Sequence, residues 1–418
     1  MTDPRTFLRQ LFDRAVEVAD PMRSLAAALP PKPAGRVVVI GAGKASARMA
    51  EAVEAAWGPC EGLVITRYGY ARPCKGIEIA EAAHPVPDAA GMTATRRMLD
   101  LLDTTGPDDF VLALISGGGS ALLTAPAAGI ALDEKRALTD ALLASGAPIG
   151  DINGIRKQIS AVKGGKLAAA AYPSRMLALM ISDVPGDNPA DIASGPTVGD
   201  PGDAALALRT LARWNVTPPA SVANYLKAGG NPLHPDDMRL SKVENVIYAA
   251  PSQSLAAAAD LARARNMDVR ILGDALEGEA REIAARQAAQ ALAIQSQLKP
   301  GDPPILLLSG GELTVTRSGN GIGGPNAEFC LALALALNGQ PGIHAIACDT
   351  DGVDGAAEVA GAHIGPDTLS KAPDASEALA TNDAHGFFGR IGDQVVTGPT
   401  LTNVNDFRAI LIAPRPDT

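Results

Sequence analysis

Two serine-glycine loops hold the residue types that bind small anions. Ser116, Gly117, Gly118, Gly119 and Ser120 follow the apolar run 111–115, and Ser309, Gly310, Gly311 and Glu312 follow the apolar run 305–308. Buried aliphatics leading into glycine read as a parallel strand whose carboxyl end opens into a loop of bare backbone N–H groups. Such nests hold phosphates or carboxylates. Three successive glycines carry a conformational-entropy cost that a plain turn does not require, and close approach of a ligand accounts for it. Ligands of open α/β sheets sit beyond the carboxyl ends of the strands, so two such loops in two halves of one chain predict a shared cleft.

A third loop, with Gly41, Gly43, Lys44 and Ser46 in the run GAGKAS, completes neither well-known nucleotide fingerprint. The dinucleotide motif wants an acid after the second strand, which here ends in Thr66-Arg67, and the Walker loop wants Gly where Val38 stands. What remains is a helix N-terminus bearing a lysine, a compact place for an anion. Further charge comes from Arg156, Lys157, Lys163 and Lys166, in a stretch that opens on Asn153; helical spacing puts Arg156 and Lys163 on one face, in the manner of a phosphate clamp. Asp183 and Asp187 follow one apolar strand, and Asp349, Asp351 and Asp354 follow another. Their spacing does not fit a calcium loop and suits magnesium beside phosphates, or a base for a hydroxyl proton. His84, held between residues with Pro85 and Pro87 close behind, suits a loop anchor as well as a substrate contact. Each set has a plain alternative as turn former, helix cap or solvated face. The nucleophile-elbow pattern G-x-S-x-G is not satisfied, and no His follows in a triad arrangement.

These residues need elements to position them. Phe7, Leu8, Leu11, Phe12 and Ala15 give the first 20 residues an amphipathic helical rhythm. A strand-turn-helix over 36–57, strands at 62–66 and 77–82, a helix over 89–103, the strand before Ser116, a helical stretch from 153 and a strand at 176–183 alternate as a parallel sheet covered on both faces does. Residues 201–237 read as a helical connection. A second alternation starts near Val243, with a strand at 268–272, a helix over 277–297, an antiparallel pair around 313–317, a Leu/Ala helix over 326–337 and an antiparallel closing strand at 407–413. The expected architecture is α/β: two α/β/α three-layer Rossmann-like domains, 1–240 and 241–418, with the active site in the interdomain cleft.

Composition narrows the function. Of 418 residues, 47% are hydrophobic and only 3% aromatic, so base stacking on aromatic platforms is disfavoured. A formal net charge of −10 argues against nucleic-acid backbone binding. Cys60, Cys74, Cys330 and Cys348 lack paired spacing and a histidine cluster, which disfavours zinc. No run approaches the ~18 apolar residues that span a membrane. The expected location is the cytoplasm.

The segments GAGKAS, AHPVPDAAG, SGGGSALL, NGIRKQISAVKGGKLA, SDVPGDNPADIASGPTVGD, LSGGELTV, GGPNAEF, DTDGVDG and TGPTLTNVNDF, in this order, resemble the glycerate 2-kinase family over residues 40–412. The last third is similar to the domain called MOFRL. The resemblance implies ATP-dependent phosphorylation of D-glycerate to 2-phosphoglycerate with magnesium, with Lys44 as an active-site cation, 116–120 as an anion cradle and Asp351 as a base. Taken with the residue-level reading, the catalytic set is Lys44, Asp351 and Arg156. The binding set is Gly41, Gly43, Ser46, His84, the 116–120 loop, Asn153, Lys163, the 309–312 loop and Asn326, and the metal set is Asp183, Asp187 and Asp349. One departure stands out: many members carry Arg where this chain has Pro325 in GGPNAE, so Arg156 or Lys163 takes over its charge or the contact between domains differs. Small-molecule partners, D-glycerate and ATP, follow, and a homodimer is compatible with this reading. The rivals are a nicotinamide-dependent hydroxypyruvate reductase and a non-catalytic sugar-acid or nucleotide binder.

Overall fold

The computed structural model describes residues 3–415, which form two compact units. One comprises residues 21–183 and 187–248; the other comprises 3–20, 184–186 and 249–415. The boundary falls at 248/249 instead of 240/241, and the N-terminal helix belongs with the second half of the chain. Strand pairing places the first and packing of Phe7, Leu8, Leu11 and Phe12 the second, and local periodicity encodes neither partner.

In the first unit Val37–Ala42 (β1), Glu61–Arg67 (β2), Ile77–Ala82 (β3), Phe110–Ile115 (β4), Arg175–Ile181 (β5) and Val243–Ala249 (β6) form one sheet in the order β3-β2-β1-β4-β5-β6. The first five strands run parallel, with Gly41 of β1 opposite both Val64 and Leu114. All six residues of β1 and of β4 are buried, the continuous apolar pattern of strands covered on both faces. Because β1 and β4 are adjacent and parallel, the loops after both strands emerge at one sheet edge.

Residues 201–237 are less idle than their sequence suggests. The helices Ala204–Arg213 and Ala220–Lys227 bury Leu211, Val222 and Leu226 against Leu138, Ile152 and Ile155. That cluster clamps the helix Ile149–Gln158, leaving its other face to present Asn153 and Arg156. The expected continuous helix through Lys163 does not form. It stops at Gln158, and the Ser160 hydroxyl accepts the N–H groups of Val162 and Lys163 in a local turn. Gly165, at φ +81°, then starts a short helix at Lys166.

In the second unit Asp268–Ile271 (β7), Gly278–Glu279 (β8), Ile305–Ser309 (β9), Leu313–Thr314 (β10), Ile343–Asp349 (β11), Gly361–Ile364 (β12), Gln394–Val395 (β13) and Asp406–Ile412 (β14) are the strands. The main sheet has the order β13-β12-β11-β14-β9-β7 and is mixed. The closing strand β14 lies antiparallel between β9 and β11, while β7 pairs parallel with β9. Alternation sorts the layers: Leu306 and Leu308 face Phe7, Leu11 and Leu255, whereas Leu307 and Ile410 face Ala284, Phe329 and Leu333. The Leu/Ala helix, Pro325–Leu337, is core packing, as its composition suggests. The pair expected around residue 313 exists as β8 with β10, but runs parallel, because Leu313 is paired with Gly278 from upstream and not with a hairpin partner.

Candidate active site

In the first unit, the GAGKAS and SGGGS loops are fastened to each other. Lys44 N–H donates to the Gly117 carbonyl at 2.8 Å, and Ala45 N–H donates to Ser116 Oγ at 3.1 Å. Ser46 Oγ donates to the Leu114 carbonyl at 2.9 Å and lies 3.1 Å from Ser116 Oγ. Ser46 and Ser116, expected as ligand contacts, are fully buried and serve instead as the link between the loops. Their hydroxyls satisfy backbone groups where two glycine-rich strand ends meet.

The residue that gathers the chemistry is Gly118. It has φ +78°, and a Cβ there would lie 3.0 Å from Lys44 Cγ and 3.1 Å from His84 Nε2. Lys44 and His84 therefore press on the same bare stretch of backbone, both half-buried. Lys44 stands two residues before the helix Ser46–Trp57, whose amino end favours negative charge.

Beyond Gly119, hydroxyls and cations converge. Ser120 Oγ is 2.7 Å from Ser194 Oγ, and Ser194 Oγ donates to Asn153 Oδ1 at 3.4 Å. Arg156 Nη2 donates to Ser120 Oγ at 2.6 Å, and Lys163 Nζ donates to the Ser120 carbonyl at 2.8 Å. Lys163 thus reaches Arg156's neighbourhood from a turn, not from a shared helix face. Ala193 and Ser194 sit at φ 53° and 63°, left-handed values that cost non-glycine residues energy and persist where surrounding structure imposes them. Lys157 and Lys166 point elsewhere: Lys157 pairs with Asp200 at 3.0 Å and Lys166 donates to the Lys157 carbonyl.

Two members of this constellation escaped the sequence reading. Ser194 lies inside the run SDVPGDNPADIASGPTVGD, whose length was the available signal. Lys135 lies in the ordinary charged pattern DEKRALTD and had none, yet it is almost completely buried, with Nζ 3.4 Å from Thr124 Oγ1. Burial pulls its ammonium down to about 7, with Arg156 adding repulsion. Burial drives the Lys163 ammonium well below its ordinary range, with Lys135 and Arg156 behind it, and lowers Arg156 too.

The second unit is built differently. The Ser309 hydroxyl accepts from Gln287 and is buried; the Gly310 N–H donates to the Gly273 carbonyl. The carbonyls of Gly310 and Gly311 both accept from the buried Arg408 guanidinium. The expected nest of free N–H groups is thus turned inward at Gly310, while Glu312 is exposed. Asn326 is fully buried, donates to Asp406 Oδ1 at 2.7 Å and belongs to a core network. In that network Asp354 accepts the N–H groups of Asn326 and Ala327 at 3.0 and 2.8 Å and the His385 ring at 2.9 Å. Burial raises the Asp406 carboxyl, and Arg408 at 3.0 Å opposes that shift. The charged Asp406 and Arg408 on an otherwise apolar strand were the visible sign of it. Asp351 is nearly inaccessible; its Oδ1 accepts Val353 N–H and its own N–H donates to Asp349 Oδ1, both at 2.8 Å.

Among the described residues, no three His, Cys, Asp or Glu side chains gather as a metal cage. Asp183, Asp187 and Asp349 therefore make no closed protein site. Magnesium in phosphoryl transfer needs none: one or two carboxylates plus phosphate oxygens and water suffice. Asp187 fits such a role, since its Oδ1 is buried without a hydrogen-bond partner and its backbone is left-handed at φ 51°.

Residues 7–227 match the profile of a domain of unknown function (DUF4147), and residues 305–406 match the MOFRL family. A D-glycerate 2-kinase of Thermotoga maritima is 36% identical, over 97% of this chain and 98% of its own. The chain belongs to the glycerate 2-kinase family. A glycerate kinase crystal structure from Thermotoga maritima superposes with a TM-score of 0.88, covering 98% of this chain and 99% of that one. A glycerate 2-kinase of Pyrococcus horikoshii is 35% identical over 99% of this chain and 98% of its own. An Agrobacterium vitis protein named as a hydroxypyruvate reductase is 49% identical over 98% of this chain and 94% of its own. As a member of this family the chain is a kinase, and no helix among its described residues is long and apolar enough to cross a membrane.

Proposed function

We propose that this protein phosphorylates D-glycerate at its C2 hydroxyl, converting ATP to ADP and yielding 2-phosphoglycerate. The observation that carries the reading is that Lys44 presses on the Gly118 backbone while Arg156 and Lys163 reach Ser120 two residues on, beside the Ser194 hydroxyl. Phosphoryl transfer consists mostly of positioning and charge neutralisation, which such a site supplies. In the proposed step the C2 oxygen bonds to the γ-phosphorus, the bond from that phosphorus to the bridging oxygen breaks, and ADP leaves. The hydroxyl proton leaves to water, and Lys44 offsets the charge that grows on the transferring group. Magnesium, held by the phosphates with Asp183 or Asp187, would add its charge. A cytoplasmic setting goes with this reading.

The reductase reading, which a relative's name raises, asks for an acid at the end of β2 to hold a nicotinamide ribose. There the chain has Thr66, engaged with the Lys44 carbonyl, and Arg67. Phosphorus NMR of the product from ATP and D-glycerate is the test. A 2-phosphoglycerate resonance dependent on both substrates is expected; 3-phosphoglycerate would refute the regiochemistry, and no phosphorylated acid would refute the kinase activity on D-glycerate.

A further inference from the structure

Lys135, Arg156 and Lys163 come from three separate segments, and the hydrogen bonds they make run to hydroxyl, carbonyl and amide oxygens: Thr124 Oγ1, the Ser120 and Leu123 carbonyls, Ser120 Oγ and Asn153 Oδ1. Three cations gathered in a poorly hydrated place repel one another, and dipolar oxygens neutralise no net charge. A buried cation group of this kind is stable when an anion completes it. Arg156 Nε is buried and has no hydrogen-bond partner, while Nη2 on the same edge donates to Ser120 alone, at 2.6 Å to its rotatable hydroxyl and at 3.4 Å to its carbonyl. That edge is the side-on fork with which guanidinium groups take planar carboxylates.

We propose, building on the functional reading above, that Arg156 and Lys163 seat the carboxylate of the 2-hydroxy acid and that Lys135 is a positioning residue behind them. Ser120 Oγ, Ser194 Oγ and Asn153 Oδ1 form a chain, 2.7 Å and then 3.4 Å apart, of groups able to bond the hydroxyls of a three-carbon acid. Lys44, beside the amino end of a 12-residue helix, is left for the phosphoryl group. Three cations held close together with little water suit the concentrated charge of a carboxylate. The site therefore selects small acids with a free carboxylate, and Lys135 contributes charge without touching the substrate.

The full-length protein tests this with Lys135→Met and Lys135→Arg, each checked for wild-type circular dichroism. Lys135→Met should raise the KM and the calorimetric Kd for D-glycerate, measured without ATP, at least tenfold at pH 7. The KM for ATP should stay within twofold. Lys135→Arg should recover glycerate affinity to within about threefold, which a merely structural role would not require. Wild-type protein should discriminate against D-glyceramide, the neutral analogue, at least 100-fold, and Lys135→Met should lose part of that discrimination. A rise in the KM for ATP alone would assign the cluster to phosphate, and unchanged constants for both substrates would make Lys135 structural; either overturns the proposal. If the wild type bound no D-glycerate, the functional reading itself would fall, and lactate would become the probe. Lactate binding to wild type but not to Lys135→Met would sustain the carboxylate seat, and its absence would remove it.

Discussion

Gly118→Ala is the most informative single change, because it adds one methyl group between two side chains. At φ +78° an alanine costs about 1–2 kcal/mol through its left-handed backbone. For a unit of this size that is a melting shift of roughly 2–8 °C, a modest share of the ~5–15 kcal/mol that holds a domain folded. The new Cβ would also stand 3.0 Å from Lys44 Cγ and 3.1 Å from the His84 ring, so both must yield by a few tenths of an ångström. Neither is backbone, and displacement is therefore cheaper than unfolding. Misplacement by about 1 Å costs on the order of 10²-fold in rate, so a smaller shift of Lys44 should lower kcat/KM for D-glycerate about tenfold. Removing Lys44 outright, by Lys44→Ala, should lower it about 10²–10³-fold. The double variant decides the mechanism: if Gly118→Ala acts through Lys44, adding it to Lys44→Ala should cost less than about threefold more. A folded Gly118→Ala enzyme with activity within twofold of wild type, or fully additive losses in the double variant, would refute the reasoning.

Asp354→Ala removes the acceptor of two helix-start N–H groups and of the His385 ring, and should destabilise the second unit by about 3 kcal/mol in denaturant titration; a loss under 1 kcal/mol would mean the network relaxes around the gap. The ligand-free protein should gain stability as pH rises through the Lys135 value of about 7 and the Lys166 value of about 8 towards the ordinary lysine range. The unfolded chain holds more protons there than the folded one, so the slope is positive; a melting temperature that falls between pH 7 and 9 in both wild type and Lys135→Met would count against charged burial as its cause.

The parallel strands β1, β4 and β5 and the loops at their ends were legible because a fully buried strand needs an unbroken aliphatic run, and a chain that turns into a ligand loop needs glycine. Lys44 at a helix start and the antiparallel closing strand came from equally local cues. What the sequence left open depends on partners distant along the chain. The membership of β6 in the first sheet, the N-terminal helix in the second unit, and the parallel pairing of β8 with β10 are choices among strands and faces that local periodicity leaves equivalent. Likewise the roles of serines and cations were decided by burial. Ser116 and Ser120 have the same chemistry in sequence, yet one links two loops and the other meets Arg156. Lys135 carried no local signal because a lysine's charge is ordinary until the fold removes its water. The sequence by itself determined where glycine would free the backbone at strand ends; only the tertiary structure determined which cations would lose their water, since desolvation is a property of the surroundings and not of the residue.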